Sequence, residues 1–482
     1  MKGGLRSGAP FVLVGLACFL TLLLSQSNIL QSDEGHTLNA AWNLWNGRKM
    51  YDDFSLFFGP GGGYAVYLVW LLTGSPSFLA ARVLSLLLLF SSIVAVYLLL
   101  ARRGIRGPGL AVAVVAWVLA SAQYVPLNHN AFSAYAATWL LLLFLRAQER
   151  DRSGEAVRPA DHLLVGIAAG VVLLFLQTKG LMLLAATAAF TLFAGRGKRG
   201  FRAAAALVTG AAVVVAPLLL VWRPSVLVRE WFLVPLAGGY LGHTGGSRVL
   251  AVACVLVAGG MAAIAIRLRD RPLLAVAVIQ AALVASFLYN VDGHHVAINC
   301  FPLLVFVPLA AQRYAARARP APDAAPAPEK LSAAATMTIV VAAFALLAIA
   351  TPAGRSLFKQ STLDVDFIRR APRNIFPQPR VAAARAIYAG PFMPGLYHAL
   401  GKPNPFFVAE TIVCNAACQR RLRAQLDQVR PEIAFLAYDM VRHLGYDQNN
   451  PVDGYFRERY VACRQDEFEG LIIRAIDASW CP

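Results

Sequence analysis

The chain has 482 residues, of which 58% are hydrophobic and 15% are charged, and its formal net charge is +18. Soluble proteins contain about 25% charged residues, so this composition excludes a water-facing surface over most of the length and indicates an integral membrane protein. The Lys and Arg residues lie mainly in short loops between apolar runs, where they report topology, so the positive charge does not indicate a nucleic-acid partner.

The first apolar run covers residues 11–30 and follows Lys2 and Arg6. A signal peptide begins in the same way, but about 20 residues is long for its hydrophobic region, and SNILQSDEGH offers no small-x-small cleavage site. We therefore predict a retained signal anchor whose N-terminus lies in the cytoplasm.

Residues 31–77 form a predicted first external loop. Its apolar run 61–73 is too short to cross about 30 Å of hydrocarbon as a helix, so we expect a helix in the membrane interface. Tyr64, Tyr67 and Trp70 suit that depth, because an aromatic ring with a polar edge favours the headgroup region.

The later apolar runs alternate between those that end in a basic cluster and those that do not. Basic ends are predicted to be cytoplasmic. The runs with basic ends are 78–101, 131–145, 181–194, 249–266 and 296–311, and the return runs are 108–123, 162–178, 203–222, 273–290 and 333–351. With the first span they predict a transmembrane domain of residues 1–351 with about eleven helices. The Pro/Ala-rich residues 313–332 are interpreted as a flexible cytoplasmic linker.

Residues 352–482 form a predicted C-terminal domain. An odd number of spans that starts inside places this domain on the extracytoplasmic side of a bacterial-type inner (plasma) membrane. Its short apolar runs and the charged stretch ACQRRLRAQLDQVRP predict a small α/β domain, which at about 130 residues is large enough to bury its own core.

Four cysteines fall in this domain, namely Cys414, Cys418, Cys463 and Cys481. They permit two disulfides, which favours an oxidising compartment and agrees with the predicted topology. The spacing does not give the connectivity, and four unpaired thiols remain the alternative.

The outer end of the first span carries Asp33 and Glu34 side by side, followed by His36. Two adjacent carboxylates at a membrane surface are often a hydrated helix end. The functional alternative is that a carboxylate here deprotonates an acceptor hydroxyl or holds a divalent cation against a phosphate.

The first loop resembles that of the GT-C glycosyltransferases, the superfamily that contains protein O-mannosyltransferases and lipid A aminoarabinose transferases. The motifs that carry the resemblance occur in the order Asp33-Glu34, Asn46-Gly47, Tyr51-Asp52-Asp53-Phe54, Gly59-Pro60 and Ala80-Ala81-Arg82. The resemblance continues in Gln177-Thr178-Lys179-Gly180, in His294-His295 and in YAGPFMPGLYHALGKPNP of the C-terminal region. The Gly-rich GPGGGY departs from the bulkier residues that usually follow the turn.

The resemblance implies a membrane enzyme that transfers a sugar from a polyprenyl-phosphate donor to an acceptor hydroxyl at the outer leaflet. The acceptor would be an envelope glycan, lipid or protein. Asp33 would act as base or metal ligand with Glu34 in support, and no cofactor is implied beyond a possible divalent cation. In keeping with this, no G-x-G-x-x-G nucleotide motif follows a strand.

A lipid phosphate leaving group calls for cations nearby, and the candidates are Arg48, Lys49, Arg82 and Lys179. Lys179 stands between two apolar runs, where an ammonium is costly without a partner, although snorkelling to the interface is the alternative. Arg48 and Lys49 are equally well explained as solvated loop charges. Arg82 has the alternative of anchoring the second span.

Asp292, His294 and His295 occupy a short external turn and are predicted as further substrate-binding residues. Their spacing is no established metal-ligand pattern, and polar residues satisfied at a turn explain them as well. Asp53 is a further candidate acid whose position equally suits a turn.

Two other functional classes fit the same topology. The first is a multi-span transporter or lipid flippase, although no inverted repeat is visible and the ionisable clusters lie at the outer surface instead of mid-span. The second is a non-catalytic assembly protein whose external domain binds an envelope partner.

Overall fold

The described residues between 32 and 317 are mainly helical. The computed structural model describes residues 32–105, 108–121, 127–152, 158–195, 197–237, 247–288, 291, 293–317, 379–408, 411, 414–438, 441, 446–463 and 472–481. The predicted spans 11–30 and 333–351, and the predicted linker after residue 317, lie outside these residues.

Helices cover the predicted spans that fall within the described residues. Five of these helices are long and apolar enough to cross a membrane, namely Phe78–Ala101, His129–Arg150, Gln177–Ala194, Lys198–Val221 and Arg248–Arg267. Shorter helices are Ser32–Trp45, Gly61–Thr73, Pro108–Ser121, Pro159–Phe175, Pro224–Val228, Val234–Ala237, Arg271–Phe287, Gly293–Asn299 and Pro302–Arg317, with a π-helical turn at Arg229–Leu233. The described helices support a polytopic membrane protein.

The predicted span 296–311 is divided in the structure. Helix Gly293–Asn299 ends before Cys300, and a new helix begins at Pro302. Pro302 has no N–H to continue the first helix and is well suited to the first turn of the second. One continuous helix was therefore the wrong prediction for this segment.

Basic residues gather at one end of the helix bundle. Four of them are held by polar side chains of neighbouring segments, which fixes the ends of these helices to one another. The contacts are Arg103 with Glu149 at 2.6 Å, Arg150 with Asp161 at 2.6 Å, Arg271 with Gln148 at 2.9 Å and Arg313 with Asp270 at 2.7 Å. The same end carries the basic loops on which the predicted topology rests.

The first loop lies at the opposite end of the bundle, where its glycines allow a close approach to helix Pro159–Phe175. A Cβ atom on Gly59 would lie 2.0 Å from Leu174 O, and one on Gly61 would lie 2.9 Å from the same oxygen. A larger residue would push the loop off the bundle. This packing gives a physical reason for the Gly-rich GPGGGY sequence.

Helix Gly61–Thr73 is present as predicted, but Trp70 does not lie at a lipid headgroup. Its ring is buried and stacks on His398 with centroids 5.0 Å apart, while Nε1 donates to Ser77 O at 2.8 Å. Leu68, Leu71 and Leu72 are the exposed large hydrophobic residues of this helix. The headgroup interpretation of Trp70 was wrong, because the C-terminal region covers this face of the helix.

The C-terminal region contains an α/β fold around a four-stranded sheet. Its strands are β1 (Ile387–Gly390), β2 (Ile433–Leu436), β3 (Val461–Ala462) and β4 (Ile472–Ala475), and they lie in the order β1-β2-β4-β3. β1 is parallel to β2, and β4 is antiparallel to both β2 and β3. β1 and β2 are fully buried, as expected for short apolar runs with cover on both faces. The helices of this region are Pro379–Ala383, Gly395–Ala399, Ala416–Val429 and Pro451–Arg459, with a 3-10 turn at Ala478–Trp480.

Two disulfides lie within this sheet-containing region. Cys414 pairs with Cys418, and Cys463 pairs with Cys481. The sequence left the connectivity open, and the structure pairs each cysteine with its nearest neighbour in the chain.

The C-terminal region docks directly on the first loop. Ser55 N donates to Phe407 O at 2.7 Å, and a Cβ atom on Gly35 would lie 2.8 Å from Gly395 N. Trp42 Nε1 donates to Lys402 O at 2.7 Å. The first loop and the C-terminal region therefore lie at the same end of the bundle, away from the basic loops.

Candidate functional site

Asp33 lies in the first turn of helix Ser32–Trp45. A helix N-terminus favours an anionic side chain, because its backbone N–H groups and dipole present partial positive charge. The backbone of Asp33 is described, whereas its side chain lies outside the described part of the chain. Its role in catalysis therefore stays a prediction.

Glu34 is locked to Arg82 in a buried, bidentate ion pair. Arg82 Nε donates to Glu34 Oε1 at 3.0 Å and Nη2 donates to Oε2 at 2.9 Å, and neither side chain is exposed. The guanidinium also lies 4.4 Å from the centre of the Phe78 ring. This pair ties the start of helix Ser32–Trp45 to helix Phe78–Ala101 and so fixes where Asp33 stands.

His36 is buried in an aromatic cluster one helical turn after Asp33. Its ring contacts Phe57, Phe58 and Phe392 edge-on, with centroids 5.1 to 5.5 Å apart. Desolvation, assisted by nearby His129, holds the pKa of His36 well below its ordinary value. The imidazole is therefore neutral at pH 7, and it cannot serve as a permanent cation for a phosphate.

Lys179 lies in the first turn of helix Gln177–Ala194 and is almost fully buried. Its Nζ donates to Asn130 O at 3.2 Å. The adjacent His129 ring stacks on Phe58, with centroids 4.2 Å apart, and Phe58 in turn contacts His36. A continuous set of contacts thus joins Lys179 to the helix of Asp33. Burial argues against the snorkelling alternative for Lys179.

Gln177 stabilises this set of contacts through two hydrogen bonds. Its Nε2 donates to Phe57 O at 2.9 Å and to Trp231 O at 2.9 Å. The amide therefore holds the loop segment with Phe57 and Phe58 between the helices that carry His36 and Lys179.

Arg48 joins the first loop to the C-terminal region. Its guanidinium donates to Asn404 O, to Phe406 O at 3.3 Å and to Asp53 O, and to Asn43 Oδ1 at 3.0 Å. These carbonyls engage both Nη atoms, so the geometry gives Arg48 a structural role. These contacts do not match the alternative of a solvated loop charge, and substrate binding by Arg48 stays a prediction.

Removing the Arg48 side chain should loosen this docking. Arg48→Ala leaves the carbonyls of Asn404 and Phe406 without their charged donor, which costs about 1.5–3 kcal/mol per hydrogen bond. We expect faster release of the C-terminal region by limited proteolysis of the purified protein. Lys49→Ala is the matched control, because Lys49 is exposed. Equal proteolysis of both variants would contradict the docking role.

Lys49 and Asp53 form a turn instead of a second acidic centre. Asp53 Oδ2 accepts from Lys49 N at 2.7 Å, and both residues are exposed. Tyr51 between them has a φ of 66°, in the left-handed region. This geometry matches the turn alternative for Asp53.

The predicted histidine turn is described in part. Asp292 lies outside the described residues, as does the side chain of His294. His295 belongs to helix Gly293–Asn299 and stacks on Phe287, with centroids 6.3 Å apart. Among the side chains that the structure describes, no three His, Cys, Asp or Glu residues come together as a metal site.

Glu230 is a buried acid that sequence reasoning missed. Its Oε2 accepts from Ser55 Oγ at 2.6 Å, and its Oε1 accepts from Arg229 Nε at 2.9 Å. It lies in the π-helical turn Arg229–Leu233, a conformation frequent at functional sites. The available signal was a lone carboxylate within the apolar stretch VLVREWFLVPL.

A pocket opens beside this network, between the first loop and the C-terminal region. Its polar lining comes from His36, Asn39 and Ser55, and Phe57 and Val408 contribute apolar surface. The first loop therefore places a cavity beside His36, one helical turn along the helix from Asp33.

Comparison with known proteins identifies the fold. Residues 59–222 match the family model described as dolichyl-phosphate-mannose-protein mannosyltransferase. A search of curated protein sequences found no significant match.

Two crystal structures of ArnT from Cupriavidus metallidurans align with the chain along almost its whole length. The one bound to undecaprenyl phosphate is 15% identical with a TM-score of 0.56 and covers 98% of each chain. The apo structure is 16% identical with a TM-score of 0.56 and covers 98% of this chain and 99% of the other. The first-loop motifs, the family model and these alignments agree, and the chain has the fold of the GT-C superfamily of membrane glycosyltransferases.

Proposed function

We propose that this protein is a membrane glycosyltransferase that moves a sugar from a polyprenyl-phosphate donor to an acceptor hydroxyl. The observation that carries the proposal is the buried Glu34–Arg82 pair, because it fixes the first turn of helix Ser32–Trp45 at the bundle end that holds Lys179. The proposed site thus combines Asp33, at the start of a helix that this pair anchors, with the buried Lys179.

The donor class follows from the ArnT structure that holds undecaprenyl phosphate. In the proposed reaction, Asp33 removes the proton of the acceptor hydroxyl, and the oxygen attacks the anomeric carbon of the sugar. The bond from this carbon to the phosphate oxygen breaks, and the polyprenyl phosphate leaves with the electron pair. Lys179 stabilises the negative charge that develops on the phosphate.

Asp33 has a second possible role as ligand of a divalent cation that holds the phosphate. A carboxylate at a helix start suits either role, since both need the ionised form. The two roles of Asp33 predict different effects of a chelator on sugar transfer, so a chelator distinguishes them directly.

The outer face of the inner membrane is the proposed location of the reaction. The basic loops gather at one end of the bundle, and the positive-inside rule assigns that end to the cytoplasm. The first loop and the C-terminal region lie at the other end, where two disulfides suit an oxidising compartment.

The experiment that tests the proposal measures transfer from radiolabelled polyprenyl-phosphate sugars to lipid, glycan and protein fractions of membranes. Membranes that contain the protein should label one acceptor class, and membranes without it should not. If no donor supports labelling while the gene still complements its own deletion, the glycosyltransferase proposal fails. A transporter or flippase is then tested by reconstitution in vesicles.

Loss of the Lys179 charge should slow transfer. Lys179→Met keeps the length and apolar body of the side chain, and we expect transfer to fall by about tenfold to hundredfold, as for loss of a hydrogen bond to a charged group. Initial rates of labelled-sugar transfer at equal protein amounts provide the measurement. Lys49→Met is the matched control, because the exposed Lys49 ammonium should contribute little. A Lys179→Met rate equal to that of the control would exclude the cationic role.

A further inference from the structure

Two buried cysteines contact each other in the membrane region. Cys254 lies in helix Arg248–Arg267, and Cys300 lies at the break between helices Gly293–Asn299 and Pro302–Arg317. Their thiols are close enough to interact electrostatically with each other, and Gln280 Nε2 donates to Cys300 Sγ at 3.7 Å. Both thiols are reduced in the structure.

The pair lies toward the end of the bundle that holds the first loop. Cys254 packs in a small apolar cluster with Phe287 and Val291, and Val291 O accepts from Ser247 N at 2.8 Å. Helix Arg271–Phe287 begins beside Gln148 at the basic end, so Phe287 stands near the opposite end. The two disulfides of the C-terminal region belong to that same end of the protein.

We propose that Cys254 and Cys300 form a third disulfide, which ties helix Arg248–Arg267 to the break before Pro302. The oxidant is a thiol-oxidising agent of the extracytoplasmic compartment that itself carries a disulfide. One thiolate attacks the oxidant and forms a mixed disulfide. The other thiolate then displaces the oxidant, which leaves as a dithiol. The protein gives up two electrons and two protons in total.

The bond would steady the segment that carries the histidine turn. Gln280 Nε2 already donates to Asn299 O at 3.4 Å, beside Cys300, so helix Gly293–Asn299 is held from one side. A covalent bond to Cys254 holds it from a second helix, and closing this loop restricts the unfolded chain. Oxidation therefore stabilises the helix break without a change in the surrounding contacts.

The test is thiol mapping of the full-length protein with the substitution Cys18→Ser, which removes the other cysteine outside the three pairs. Membranes are treated with diamide, denatured without reductant and alkylated, and the peptides are identified by mass spectrometry. We expect a linked Cys254–Cys300 peptide and no alkylated thiol. With Cys254→Ser added, Cys300 should be alkylated. Alkylation of both cysteines after diamide, or a link from either to a different cysteine, overturns the proposal.

A second measurement keeps the result independent of folding defects. Dithiothreitol should lower the melting temperature more in the Cys18→Ser protein than in the same protein with Cys254→Ser and Cys300→Ser, because the two other disulfides are common to both. An equal fall in the melting temperature of both proteins on reduction overturns the proposed stabilising disulfide. Neither measurement involves sugar transfer, so the outcome is separate from that of the proposed function.

Discussion

Asp33→Asn is expected to reduce sugar transfer by roughly 10²- to 10⁴-fold, the usual contribution of a general base. The amide keeps the size and shape of the carboxylate but cannot accept the hydroxyl proton. The helix start stays in place, because the Glu34–Arg82 pair that fixes it is unchanged. Initial transfer rates at saturating donor, together with the melting temperature, provide the measurement.

Asp53→Asn is the matched control for this variant. Asp53 is an exposed acid of the same first loop and accepts a single turn hydrogen bond from Lys49 N. We expect transfer close to that of the unmodified protein. Loss of transfer in Asp53→Asn with full activity in Asp33→Asn would move the catalytic acid from the helix start to the turn.

Chelation separates the two roles of Asp33. If Asp33 acts as the base, EDTA leaves transfer by the unmodified protein unchanged. If it holds a divalent cation, EDTA abolishes transfer and added Mg²⁺ or Mn²⁺ restores it. Both results keep Asp33 at the reacting centre, and the Asp33→Asn variant is inactive in each.

Breaking the Glu34–Arg82 pair should have the largest effect on stability. Glu34→Gln leaves the Arg82 charge buried without its counter-ion, and removal of one partner of such a pair costs about 3–5 kcal/mol. We expect a clear fall in the melting temperature of the detergent-solubilised protein and a parallel loss of transfer, since the first turn of the Asp33 helix loses its anchor. The double variant Glu34→Leu with Arg82→Met should recover much of the stability but not the activity.

The surface pair of Arg423 with Glu458 offers a control. These side chains approach to 3.4 Å and are 35% and 62% exposed, so solvent weakens the interaction. Glu458→Gln should cost no more than about 1 kcal/mol. If Glu34→Gln were as mild, the buried pair would not be what fixes the helix start.

Hydropathy and basic flanks predicted most of the described helices, because a bilayer requires long apolar segments whose backbone N–H and C=O groups hydrogen-bond within the segment. The same signals could not show that the span 296–311 breaks at Cys300. That break depends on Pro302 and on packing around Gln280, both of which are compatible with an apolar run.

Candidate site residues could be proposed from the sequence where a local motif marked them. The adjacent acids Asp33 and Glu34 are an example, but the contact that Glu34 makes is not local. Arg82 reaches Glu34 from another helix. Only the folded structure therefore shows that both carboxylate oxygens of Glu34 accept hydrogen bonds from Arg82. Trp70 was misassigned for the same reason, since His398, which covers it, is far away in the chain.

The docking of the C-terminal region has a consequence for biogenesis. Trp42 and Arg48 leave the ribosome before Lys402, Asn404 and Phe406, whose carbonyls they bind and which lie 356 to 360 residues further along the chain. During translation the helices between them can insert one after another while the first loop still lacks these partners. The bundle end that holds the candidate site is therefore completed only after residues 402–406 have been made, so a shorter chain in the membrane has its helices but lacks these docking contacts.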